Sequence, residues 1–182
     1  PFDDNRADFV LISSDNTAFY VYSSLLSLVS PVFQVMFTLP QGVEQELYKG
    51  KPFVKVTDKA RKLQLILTWC DPRCSTLPIE DPLAVLEIAD KYGMEDIMKN
   101  VTAALLEAKH LIAENPLRIF AIAVRFRQKK LAEVAATEAI KVSFCQWKRC
   151  EEMKHISAFA YDSLIGYRVR CCAAAKKAVT DL

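Results

Sequence analysis

Six cysteines and two histidines are the residues of this 182-residue chain whose chemistry is most easily recognised. Cys70, Cys74, Cys145, Cys150, Cys171 and Cys172 are spaced irregularly with no Cys-x-x-Cys pair, and His110 and His155 stand apart. Zinc takes closely spaced ligand pairs that converge on one tetrahedral point, so this spacing points to no metal site. The chain is also too long and too apolar to need a disulfide framework, and the six thiols read as reduced. A nucleophilic cysteine or serine needs a histidine within hydrogen-bond reach. His110 falls near the expected end of a helix, where a cation is favoured and a capping role suffices. His155 follows Glu151, Glu152 and Lys154 at the start of another helix and reads as a surface residue. Cys171 and Cys172 lie beside Arg168 and Arg170, cations able to depress a thiol pKa, but neighbours on a helix point about 100° apart. The carboxylate pairs Glu44 with Glu46 and Glu95 with Asp96 read as solvated loop and first-turn acids. Gly42, Gly50, Gly93 and Gly166 are too scattered for a phosphate-cradling loop or a dinucleotide fingerprint. The expectation is a protein with no catalytic residue, metal, cofactor or small-molecule substrate.

Charge is the remaining chemical signal. Through Pro116 there are 11 bases and 16 acids, a net of −5, whereas from Leu117 onward there are 13 bases and 6 acids, a net of +7. Arg125, Arg127, Lys129, Lys130, Lys148, Arg149, Arg168, Arg170, Lys176 and Lys177 make the second half basic, and a basic stripe is the electrostatic footprint of phosphate binding. No helix-turn-helix, zinc-finger or aromatic-basic motif accompanies them, so a solvated face, or one that meets the acidic first half, is the stronger reading. Nucleic acid is therefore a third-ranked partner. Ala-rich helices without a broad aromatic face argue against a membrane surface, and no run of about 18 uncharged apolar residues exists to span a bilayer. Residues 1–8 carry three acids where a secretory signal would begin with bases, which leads to an expectation of intracellular residence, cytoplasmic or nuclear. With 52% apolar and 25% charged residues the chain can bury a sizeable core, which excludes disordered and collagen-like classes.

The elements that would position these groups divide at the same place as the charge. Phe9-Val10-Leu11-Ile12 and Ala18-Phe19-Tyr20-Val21-Tyr22 are β-prone runs joined by the turn formers Ser14-Asp15-Asn16-Thr17, a predicted hairpin. A third strand is predicted over residues 53–56. In Ser30-Pro31, Asp81-Pro82 and Asn115-Pro116 an N-cap acceptor precedes a first-turn proline, and each opens a run of helical period. Val32, Phe33 and Met36 mark the apolar face of the first run; Leu83, Leu86 and Ala89 that of the second; Leu117, Phe120 and Val124 that of the third. Gly93 is the expected C′ glycine of the second helix, with another helix running from Met94 to about Lys109. A further helix is expected over residues 60–70, stopped by Asp71-Pro72. The second half lacks strand signals and reads as helices over 117–126, 130–144 and 157–179, with a polar hinge over 146–154, a small bundle.

The stretch SSLLSLVSPVFQVMFTLPQ, between the strands AFYVY and FVKV, resembles the core of a BTB/POZ domain, with Leu25, Leu26, Ser30, Phe33, Met36 and Phe37 in the places of that pattern. LAVLEIADKYGMEDIMKNVTAALLE is similar to its final helical pair, including the Ala-x-x-Tyr step at Ala89 and Tyr92. ENPLRIFAIAVRF and MKHISAFAYDSLIGYRVRC look like the helical extension that follows this domain in a group of fungal BTB proteins. The resemblance implies an α+β fold, a small sheet flanked by helices over residues 1–112, followed by an all-α extension over 113–182. It implies a non-enzymatic protein-interaction module, a scaffold or oligomerisation domain, with homodimerisation as one mode. A second reading is a substrate adaptor docking a cullin through Val32, Val35, Met36 and Leu39, although the loop TLPQGVEQELYKGKP lacks the hydrophobic-x-Glu triplet that such docking uses. The third reading uses the basic residues Arg125, Arg127, Lys129, Lys130, Arg168 and Arg170. Two departures stand out. Tyr22-Ser23 replaces the family's His-Lys, and only residues 1–8 precede the first core strand, where long-form members carry the helix and strand of an exchanged dimer.

Overall fold

The computed structural model describes residues 2–38, 47–72 and 81–180, and the chain divides into two compact units, Pro1–Val101 and Thr102–Leu182. In the first unit, β1 (Phe9–Ile12) and β2 (Ala18–Val21) form the expected hairpin, antiparallel with Phe9 opposite Val21 and Ile12 opposite Ala18. The turn between them is held by Ser13, whose Oγ donates to Asp15 Oδ1 at 2.6 Å and accepts the Thr17 N–H at 2.9 Å. After α1 (Ser23–Val29) and α2 (Pro31–Thr38), β3 (Leu47–Tyr48) and β4 (Lys51–Lys55) complete a sheet of order β2-β1-β4-β3, with β4 parallel to β1. A central strand covered on both faces has no reason to alternate, and all four residues of β1 are buried. On β2, at the sheet's edge, Phe19 and Val21 are buried while Ala18 and Tyr20 are only partly so.

Helices α3 (Ala60–Cys70) and α4 (Pro82–Lys91) pack on each other, and α5 (Glu95–Glu107) leads into the second unit. Lys59 offers α3 no side-chain cap, and Asp15 supplies one from a distance by accepting the Ala60 N–H at 2.9 Å. Asp81 caps α4 through the Ala84 N–H at 3.2 Å, and Ser30 caps α2 through the Phe33 N–H at 3.0 Å. Asn115 departs from the expectation: its side chain makes no capping bond, although Pro116 still opens the helix.

Gly93 ends α4 as expected, at φ +65°, with its N–H on Asp90 O at 3.1 Å and the Met94 N–H on Ala89 O at 2.8 Å, the paired bonds of a Schellman ending. A Cβ there would lie 3.1 Å from Pro31 Cγ. Gly93→Ala is therefore expected to destabilise the chain by about 2 kcal/mol, from left-handed backbone strain and the crowding of Pro31. Urea unfolding should show a lower midpoint at unchanged slope.

The second unit is helical: α6 (Lys109–Glu114), α7 (Pro116–Arg125), α8 (Lys129–Lys141) and α9 (Ala158–Thr180), with 3-10 turns at Phe144–Gln146 and Glu151–His155. Its core runs through Ile112, Phe120, Ile122, Leu131, Ala135 and Ala139. Four sequence expectations need correction. The helix after Gly93 stops at Glu107, a separate α6 follows, and His110 sits in the first turn of α6 rather than at a helix C-terminus. The helix expected to reach Phe144 stops at Lys141. The polar hinge contains a packed turn in which Glu152 is 8% exposed. Lastly, α9 adds little to a bundle, since Leu164 is its one buried residue. Among the described residues no helix is long and apolar enough to cross a membrane.

Candidate functional site

Helix α2 turns Phe33 inward, fully buried, and Phe37 beside it. The Phe33 ring stacks on Tyr92 at 4.3 Å and on Phe37 at 5.7 Å, and Phe37 reaches Phe9 of the central strand at 4.5 Å. With that face fixed, helical geometry sends Val32 and Val35 outward, where they are 38% and 57% exposed. Met36, one turn on from Val32, is half-buried on the margin of the same stripe. Leu39 lies outside the described residues. Leu28 of α1, which packs on α2, is 83% exposed. Sequence reasoning passed over Leu28, yet the signal was present: two residues beyond the buried Leu26, a helix has turned about 200° and faces solvent.

The helical pair is anchored at both ends. Asp8 accepts the Ser23 N–H at 2.8 Å and the Ser23 hydroxyl, fixing the start of α1. Burial disfavours the charged form of Asp8, but the hydrogen bonds from Ser23 outweigh it and its pKa falls below the usual carboxylate value. Tyr22, one of the two departures from the family pattern, donates its hydroxyl to Asp4 at 2.9 Å. At the α1–α2 corner the buried Ser30 hydroxyl donates to Tyr92 O at 2.6 Å while accepting the Phe33 N–H. Tyr92 in turn donates its phenol to Asp58 at 2.7 Å, and Lys91 closes on the same carboxylate at 2.5 Å. Thus the exposed strip rests on a fully hydrogen-bonded buried base.

The basic candidates do not share one place. Arg125, Arg127, Lys129 and Lys130 lie around the turn between α7 and α8, with Arg125 over the Phe126 ring at 5.1 Å and Lys129 4.0 Å from Glu133. Arg168 serves the opposite end of α8: its guanidinium donates to Val142 O at 2.8 Å and to Ile140 O at 3.4 Å and lies over the Phe144 and Trp147 rings. It is a helix-end cap, favoured where carbonyls accumulate. The length of α8 separates the two groups by about 18 Å, at 1.5 Å per residue. Arg170 is exposed, on α9.

Burial pushes the Cys70 thiol up to about 12, and burial likewise raises Cys150. His155 is exposed, and Cys74 lies outside the described residues. Among the described residues no group of three His, Cys, Asp or Glu could hold a metal ion.

A small mixed sheet covered by helices thus leaves Leu28, Val32 and Val35 exposed on α1 and α2 above a hydrogen-bonded corner. The family model for the BTB/POZ domain matches residues 2–109, more than half of the chain, and the chain belongs to that family. BTB domains are protein-interaction and oligomerisation modules, and the first unit falls within the match. The chain is also similar to the BTB domain of zebrafish PATZ1, at 12% identity and a TM-score of 0.42 over 56% of this chain and 76% of that one. No curated protein matches the sequence.

Proposed function

We propose that this chain is a non-enzymatic scaffold that self-associates through the strip formed by Leu28, Val32 and Val35, with Met36 at its margin. The interaction domain is taken as residues 1–112 and the helical extension as 113–182. The observation that carries this reading is the exposure of three aliphatic side chains on adjacent helices whose inner faces are locked by Ser30, Phe33 and Tyr92. Isolated exposed apolar residues are ordinary, but a supported group of them favours an interface, and an isologous dimer would bury the strip against its own copy. The separation of the basic residues across α8 weighs against a nucleic-acid role.

Light scattering over a concentration series tests the proposal. The expected mass is about 41 kDa, twice the 20.6 kDa of the chain. Val35→Asp, a change at an exposed position, is expected to return it to 20.6 kDa with the helical circular dichroism intact, because a charge in an interface core is poorly tolerated. A constant 20.6 kDa for the native chain would reject self-association and turn the search to heteromeric partners, a cullin first, with Val32→Asp and Val35→Asp as the docking controls.

A further inference from the structure

The helical unit holds a second surface of a different kind. A cleft of about 760 Å³ opens between the start of α7, the two 3-10 turns and the start of α9. Its floor is apolar, with Leu117, Met153, Ile156 and Tyr161 below and Phe144 and Trp147 as a wall. The wall is held in place, since the Trp147 indole donates to Ala139 O at 3.0 Å and Arg168 lies over both rings. At its rim Lys154 and Glu151 bind each other, which leaves Arg149 as the cation facing the cleft without an ion pair among the described residues. Arg149 and its neighbour Lys148 are exposed and form no ion pair among the described residues. Ser157 and Ala158, at the N-terminal end of the 23-residue α9, also line the cleft, so the positive end of that helix opens on it.

The main chain beside the cleft is unused as well. Trp147 and Cys150 have extended backbone, and the N–H and C=O groups of Lys148 and Arg149 between them make no hydrogen bond among the described residues. A further hollow of about 420 Å³ borders this segment too.

We propose that this cleft docks an extended peptide segment in which acidic side chains alternate with aliphatic ones. The free amides and carbonyls of Lys148 and Arg149 pair with the peptide main chain as an added strand. Alternate side chains then point to opposite sides, the aliphatic ones into the floor and the acidic ones toward Arg149 and the start of α9. The net +7 carried from Leu117 onward draws an acidic partner and repels a basic one. Leu117, Met153 and Ile156 make a floor suited to aliphatic side chains, and Arg168 already lies over the Phe144 and Trp147 rings on which bases would stack.

The test is fluorescence anisotropy on the full chain with a fluorescein-labelled peptide alternating Glu and Leu. Saturable binding that weakens as salt rises is expected, with a loss of about tenfold or more in Arg149→Glu at an unchanged unfolding midpoint. Val35→Asp should leave this affinity unchanged, so the result stands apart from the fate of the dimer proposal. The inference is overturned if the peptide does not saturate, if a Lys-for-Glu version binds equally well, or if Arg149→Glu has no effect. It is equally overturned if labelled oligothymidylate binds more tightly than the peptide and is lost in Arg149→Glu, which would make the cleft a single-stranded nucleic-acid site.

Discussion

Tyr92→Ala is expected to cost about 4 kcal/mol of stability, much of what a domain of this size possesses. Tyr92 is 2% exposed, its ring stacks on Phe33 at an interplanar angle of 11°, and its main-chain carbonyl accepts the Ser30 hydroxyl. Truncation leaves a cavity next to a fully buried phenylalanine and strands the Asp58 carboxylate with Lys91 as its remaining side-chain cation. Tyr92→Phe separates the two contributions. It keeps the ring and removes only the hydroxyl bond to Asp58, an expected loss of about 1.5 kcal/mol. Urea unfolding of both variants measures the difference, and equal losses would mean that the hydrogen bond, not the ring, carries the site. Burial first, then the hydrogen bond and charge of Asp58, raise the phenol well above its ordinary 10.0. A raised folded-state pKa gives stability that is complete below the unfolded value and is lost as pH rises beyond it, so this contribution is constant through neutral pH and declines only above about 10. Because the same ring sets the inner face of α2, Tyr92→Ala should also weaken any association that uses Val32 and Val35.

The parts of the first unit that were legible in the sequence are those decided locally. Ser30-Pro31 and Asp81-Pro82 carry their caps within three residues, and the Gly93 ending needs only a residue free to take positive φ. β3 was not legible because two residues, Leu47 and Tyr48, offer no alternation to count. Nor was the break before α6, since Ala108 is a good helix former and nothing in its type announces a kink. On α2, helical spacing marks Val32, Phe33 and Met36 as one apolar face and the BTB resemblance adds Val35, but only packing shows that Phe33 takes the core while Val32 and Val35 are left outside. Arg168 reads as one more surface cation until its carbonyl partners, 26 and 28 residues earlier in the chain, are brought to it. Glu152 is the same lesson reversed. In the run EEMKH it is indistinguishable from Glu151, yet one is buried and the other exposed.

Glu152 is a buried acid of the second unit. Its carboxylate accepts the Arg118 Nε–H at 2.7 Å and joins the second 3-10 turn to α7. Burial works against its ionisation, but the hydrogen bond from Arg118, the hydrogen bond from its own amide and the charge of Arg118 together outweigh that and lower the pKa below 4.5. Arg118→Ala removes the partner and leaves a buried carboxylate. Breaking a fully buried pair costs about 3–5 kcal/mol, and because Arg118 keeps 43% of its side chain exposed, about 2 kcal/mol is expected here. The pH dependence identifies the cause. In the native chain the lowered pKa gives stability that is present above the unfolded value and lost as pH falls through the folded one. Without Arg118 burial dominates, the pKa moves upward, and falling pH relieves the variant by protonating Glu152 while the native chain loses its ion pair. The gap between the two should therefore be widest near neutral pH and should close as pH falls below about 4.5, followed as urea midpoints across a pH series. A gap that stays constant with pH would assign the loss to the packing of the arginine stem instead. Glu152→Gln, which keeps an acceptor for Arg118 and removes the charge, should lie between the two chains and show no such convergence.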